Sequence, residues 1–138
     1  MSVSQAGLFE RALEFAKVGI DDEMIPWSRA AVLRLSWDRR RVAEVVSRTP
    51  HAVYPVVDDT GRVAGAVRLL ELCRRPTASL EALLTPVMHL SAQASAHVAL
   101  LSLRHSKAWL GVVEQDSKPV GIVTVDDLIE PLTKSRRK

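Results

Sequence analysis

Apolar residues recur at three- and four-residue spacing over residues 4–18, where Leu8, Phe9, Ala12, Leu13, Phe15 and Ala16 share one face. Glu10, Arg11, Glu14 and Lys17 take the other, so the pattern predicts an amphipathic helix that Gly19 ends. The run over 30–35 lies between Pro26 and Ser36 and predicts a short strand. Ser36 can cap the helix that follows, with Asp38 in its positive first turn. That helix extends to about Arg48, with Val42, Val45 and Val46 inward and Arg39, Arg40, Arg41 and Arg48 mostly outward. Strands over 51–57 and 62–67 flank the turn Asp58-Asp59-Thr60-Gly61 and predict a hairpin. A short helix over 69–75 ends at Pro76.

The same order then returns. Residues 79–84 predict a short helix and 87–90 a strand. A helix over 95–106 carries Val98 and Leu101, with Arg104 and His105 at its end. Strands over 108–113 and 119–123 flank a turn at 115–118, and a helix begins at Val125. Two local matches fix the relation between the halves. Met24-Ile25-Pro26 corresponds to Leu84-Thr85-Pro86 at an offset of 60, and Gly65-Ala66-Val67 to Gly121-Ile122-Val123 at an offset of 56. Each half has about 55 residues, too few to bury much surface alone, so the halves are expected to pack face to face. The division is 1–18 as a leading helix or linker, 19–75 and 76–133 as the repeats, and 134–138 as a basic tail.

Composition narrows the function classes. The chain has 138 residues, of which 47% are hydrophobic and 25% charged, too apolar for a disordered chain. No apolar stretch approaches the roughly 18 residues of a membrane span, and the start lacks a signal-peptide pattern. The one cysteine, Cys73, excludes an internal disulfide and reads as a small buried hydrophobe. A cytoplasmic setting is the expectation. The net charge of +3 rests on Lys134, Arg136, Arg137 and Lys138. Without these four, 15 basic residues face 16 acidic ones, so no nucleic-acid partner is expected. His51, His89, His97 and His105 lack ligand spacing, and no metal site or catalytic constellation emerges. Trp27, Trp37 and Trp109 are assigned to the core or to a dimer contact.

The run Gly121-Ile122-Val123-Thr124-Val125-Asp126-Asp127-Leu128 resembles the Gly-apolar-apolar-Thr/Ser-x-x-Asp signature of nucleotide-binding CBS repeats. The chain is thus similar to a tandem CBS-domain pair, or Bateman module, over most of its length. Residues 9–15, Glu23-Met24-Ile25-Pro26 and His51-Ala52-Val53-Tyr54-Pro55-Val56 resemble the cytosolic CBS region of CorC-type (hemolysin-like) and cyclin-M-type transport proteins. The resemblance implies an α/β fold of two pseudo-symmetric repeats (β-α-β-β-α) with a cleft between them. It also implies AMP, ADP or ATP as ligand, with or without Mg²⁺ and with no obligatory cofactor. The implied partners are a second copy of the chain, as a homodimer, and a membrane transporter domain. The role is regulatory rather than enzymatic.

Within that resemblance, Thr124 can donate to a phosphate at the N-terminus of the last helix, and Asp127 can accept from ribose hydroxyls. Ile25, Pro26, Tyr54 and Pro55 would line the adenine side. Thr-x-x-Asp is equally a capping-box pattern, in which Thr124 and Asp127 serve the helix alone. The first repeat departs from the signature, with Arg68 and Glu71 at the equivalent positions. With Thr85 and Pro86 they make a second, degenerate pocket. Ile25 also stands where many relatives have a hydroxyl residue. These departures support an alternative in which the module has lost its ligand and acts only in dimerisation or docking.

Overall fold

The computed structural model describes residues 19–133. The leading helix expected over 4–18 and the basic tail lie outside the described residues. Each half builds one sheet with helices packed on it. In the first half a short helix α1 (Ile20–Glu23) leads into strand β1 (Ile25–Pro26) and a 3-10 turn at Trp27–Arg29. Strand β2 (Leu33–Arg34), helix α2 (Arg39–Arg48), the hairpin β3 (Val53–Val57) and β4 (Val63–Arg68), and helix α3 (Leu69–Arg74) follow. The second half runs α4 (Leu80–Leu83), β5 (Met88–Ser91), α5 (Ala96–His105), β6 (Gly111–Gln115), β7 (Lys118–Val123) and α6 (Val125–Thr133).

The two sheets have matching orders. β2 pairs parallel with β3, which pairs antiparallel with β4. Likewise β5 pairs parallel with β6, which pairs antiparallel with β7. The repeat holds down to single bonds: Leu35 N donates to Val57 O in one half, and Ala92 N to Glu114 O in the other. α2 and α5 each have ten residues, and their caps, Asp38 and Ser95, are 57 positions apart. Each cap accepts from the backbone N–H three residues on, at 2.9 Å for Arg41 and 3.1 Å for Val98. The cap of α2 is therefore Asp38 rather than Ser36. A carboxylate outcompetes a hydroxyl two residues upstream because it meets the unpaired amides as a full charge.

The halves are tied by exchange of their lead-in segments. β1 belongs to the first half in sequence yet pairs antiparallel with β7, Ile25 opposite Ile122 and Pro26 opposite Gly121. The corresponding segment of the second half crosses back. Ala66 N donates to Thr85 O at 2.9 Å and Thr85 N to Ala66 O at 2.8 Å, an antiparallel bridge on β4. Thr85 Oγ1 adds a third bond to the Ala66 carbonyl. Glycine permits both crossings. A Cβ at Gly65 would lie 2.8 Å from the Thr85 carbonyl oxygen, and one at Gly121 would lie 2.9 Å from that of Ile25 and overlap the Met24 sulfur.

Three apolar clusters fill the described part of the molecule. One lies within the first half around Leu33, Val42, Tyr54, Val56 and Val67. Another lies within the second half around Ile20, Ala99, Leu103, Val113 and Leu128. Ile20 comes from the first half in sequence, a further consequence of the exchange. A small cluster of Val53, Ala66, Leu110 and Ile122 joins the sheets, with Ile25, Trp27, Ala30 and Val87 around it. Trp27 thus sits at the junction, and Trp37 packs on the first core with Arg41 5.0 Å above its ring. Arg39 is not a solvated charge: its guanidinium donates to the carbonyls of Leu72, Arg75 and Ala78, all at 2.8 Å. It clamps α2 to the segment between the halves. The Asp58 turn closes the β3–β4 hairpin through bonds from Thr60 and Arg62, and the Thr60 hydroxyl is the main cause of a lowered Asp58 pKa.

Two stability predictions follow from these contacts. Gly65→Ala and Gly121→Ala should each destabilise the protein by about 1–3 kcal/mol, because the obstructing atom is backbone and cannot rotate away. Urea midpoints at an unchanged m-value would check it, and a wild-type midpoint for both variants would remove the crossing as a constraint. Arg39→Ala should cost about 1–3 kcal/mol in the same assay, and Arg39→Lys should recover only part of it, since an ammonium cannot span three carbonyls in one plane.

Candidate functional site

A cleft of about 1040 Å³ opens between the halves. Its first-half wall is Ala52 and Val53 on β3, Arg68 at the end of β4, and Leu69, Leu70 and Cys73 on α3. The second half contributes residues 106–109 ahead of β6, and Thr124, Val125 and Asp126 where β7 turns into α6. The strand ends and the two helix starts meet here because the repeat brings each strand-to-helix junction to the same side of the molecule.

At the second junction the capping box forms. Thr124 N and Oγ1 both donate to Asp127 Oδ2 at 3.0 Å, and Asp127 N donates to Thr124 Oγ1 at 3.3 Å. One carboxylate oxygen, Oδ1, has no hydrogen bond among the described residues. The cap therefore uses half of the carboxylate and leaves the other half available as an acceptor. Thr124 lines the cleft, while Asp127 stands one residue past the lining Asp126.

The other expected residues are distributed as follows. Tyr54 is fully buried in the first core, where its hydroxyl accepts from His51 N at 2.7 Å and donates to Thr49 O at 2.8 Å. Burial pushes its phenol above the ordinary pKa. Pro55 is buried in β3 as well. Neither side chain lines the cleft; the residues of that strand that do are Ala52 and Val53. Ile25 packs in the junction cluster and Pro26 lies on β1, both against β7 rather than in the cleft lining. Of the degenerate set, Arg68 lines the cleft, Glu71 pairs with Arg74 at 2.9 Å, and Thr85 is committed to the bridge with Ala66. Pro86, next to it, is exposed.

One residue departs from its sequence assignment, and for another the structure excludes the core but not the dimer contact. Cys73 is exposed and lines the cleft rather than a core, because α3 turns only Leu72 fully inward. Trp109 is 49% exposed. The Arg68 guanidinium lies 3.9 Å from the centroid of its ring, a cation–π contact across the two halves. The signal available in the sequence was positional: Trp109 stands where the first repeat has the small residue Ala52. Among the described residues no group of three histidine, cysteine or acidic side chains could hold a metal ion, and no helix is long and apolar enough to cross a membrane.

Comparison with known proteins agrees with this architecture. Residues 80–134 match the CBS domain family model. The second half is a CBS domain. The whole chain has the fold of a CBS pair. It is similar to the CBS domain of a bacterial CNNM/CorC family Mg²⁺ transporter solved in complex with ATP, with a TM-score of 0.82 and 15% identity over 94% of this chain and 96% of that one. A CBS-domain pair with bound AMP from Klebsiella pneumoniae gives a TM-score of 0.72 and 17% identity over 85% and 99%. In sequence the chain is 29% identical over 132 residues to the UPF0053 protein MG146 of Mycoplasma genitalium, covering 91% of this chain. The chain spans 31% of the length of that curated relative.

Proposed function

We propose that the cleft binds an adenine nucleotide and that its occupancy regulates an attached or partner protein, an ion-transporting membrane domain of the CorC type. The observation that carries this reading is the Thr124–Asp127 box on the rim of the inter-half cleft, with one carboxylate oxygen left over. Asp127 Oδ1 accepts from the ribose hydroxyls, as an acidic residue does in dinucleotide sites. The amides of Val125 and Asp126 at the start of the nine-residue α6 face the phosphate next to the ribose, while the Thr124 hydroxyl, which donates to Asp127, holds the carboxylate in place. The base lies against Ala52 and Val53; Tyr54 and Pro55 act by anchoring their strand, and Ile25 and Pro26 by holding β7. Fold relatives solved with ATP and with AMP support the ligand class.

Regulation follows from where the ligand sits. A molecule touching both walls stabilises whichever packing of the halves brings those walls to it, and by that much it shifts the equilibrium seen by a partner. A Mg²⁺ carried with the nucleotide would meet Asp126 on the same rim. A homodimer is part of this proposal, because Val98 and Leu101 are 53% and 44% exposed on the outer face of α5 and pairing would cover them.

Calorimetric titration of the wild type and Asp127→Ala with AMP, ADP and ATP tests the reading. The wild type should bind at least one of them below millimolar concentration. Asp127→Ala should lose about tenfold or more in affinity, while losing only the roughly 0.5–2 kcal/mol of a helix cap in stability. Absence of binding to the wild type at millimolar nucleotide would favour a docking module that has lost its ligand. Equal binding by the variant would move the site elsewhere in the cleft.

A further inference from the structure

The two walls of the cleft are related by the repeat but differ chemically. Arg68 stands where the second half has Thr124, Leu70 where it has Asp126, and Trp109 where the first half has Ala52. A cleft with identical walls would accept a ligand in two equivalent orientations. Here one wall carries a hydroxyl and an acid, and the other a guanidinium and an indole. Lys107 lines the cleft as well, on the segment that carries Trp109.

The state of Arg68 is the informative detail. Its guanidinium carbon lies 3.9 Å from the Trp109 ring centroid, and it makes no ion pair among the described residues. The indole holds the guanidinium carbon, and no hydrogen bond or ion pair among the described residues engages its N–H groups. That geometry holds a planar fork ready for bidentate contact with phosphate oxygens. The half-exposed indole gives up contact with water for this. The α6 amides serve the phosphate next to the ribose, and Asp126 on the same rim disfavours further negative charge there, so the outer phosphates are favoured on the Arg68 side.

Resting on the reading that the cleft holds an adenine nucleotide, we propose that Arg68, positioned by Trp109, grips the terminal phosphates of a nucleoside di- or triphosphate. The site then takes one nucleotide per chain, in one orientation, with its ribose at Asp127 and its phosphate chain crossing to the first half. A monophosphate has only the phosphate next to the ribose and no terminal phosphate for this grip, so on this proposal Arg68 sets the preference for polyphosphates and bridges the halves only when they are bound.

Calorimetry with ATP, ADP, AMP and adenosine on the full chain tests this. The wild type should bind ATP and ADP more tightly than AMP, at one site per chain. Arg68→Gln should weaken ATP by about tenfold or more, the size of one charge-assisted hydrogen bond, and leave AMP and adenosine within about threefold. Trp109→Phe should keep the ATP affinity, whereas Trp109→Ala should fall toward Arg68→Gln. If Arg68→Gln lowers the ligand-free Tm by more than about 4 °C, Arg68→Lys replaces it, keeping the charge but losing the fork. Equal losses for ATP and AMP, an unchanged ATP affinity, or two ATP per chain would overturn the proposal while leaving nucleotide binding in place. Failure of the wild type to bind any of the four would remove both.

Discussion

Each half of this chain sends its lead-in segment across the other half's hairpin, and both crossings pass over a glycine. The Gly65–Thr85 and Gly121–Ile25 approaches are close enough that neither position accepts a Cβ without moving backbone. Because of them, neither sheet is complete within its own repeat: β1 extends the second sheet, and Thr85 bonds to the edge of the first. Repeats of about 55 residues bury too little surface to stand alone. Exchanging segments makes the two small cores interdependent and aligns the sheets so that Val53, Ala66, Leu110 and Ile122 meet between them.

The cleft is a by-product of that alignment. Once the sheets face each other, the junctions β4–α3 and β7–α6 open on the same side. The repeat would make their walls equal, and substitutions in both repeats make them unequal. The second half keeps Thr124 and Asp127, which satisfy the helix start and leave an acceptor spare. The first half has Arg68, which finds an aromatic partner in Trp109 instead of a cap. This asymmetry would give direction to a ligand lying across the cleft, as the proposed nucleotide does. On the proposed function it would also connect binding to conformation, because the groups at the two ends belong to different halves.

Much of the fold was legible because each element is short, bounded by turn residues and repeated. The Gly-apolar-Val strand at both offsets carried the duplication, and the caps Ser79 and Ser95 fall where hydroxyl residues precede apolar runs. What sequence could not show depends on contacts between distant segments. Arg39 reads as part of a solvated arginine triplet until the carbonyls of residues 72, 75 and 78 come within reach. Tyr54 reads as a base-facing aromatic, but strand alternation turns it into the core, where its hydroxyl finds two local backbone partners. Cys73 reads as buried because free cysteines usually are, yet it lies on the cleft side of a helix only six residues long. Trp109 belongs to a stacked pair whose members are 41 positions apart in sequence, a relation no local pattern reports. The box at Thr124 was legible both as a cap and as a ligand contact; the cap is what the geometry forms, with Asp127 Oδ1 outside it.

Interdependence of the halves is the central claim, and native-state hydrogen exchange measures it most directly. The amides of Ala66 and Thr85 close the bridge between halves, and those of β3 and β6 lie at the centres of the two sheets. All of them should exchange through one cooperative opening with a common free energy, equal to that of global unfolding. Exchange of the first half's amides at a distinctly lower free energy than the second's, with the bridge amides following only one of them, would show two independent units and contradict it.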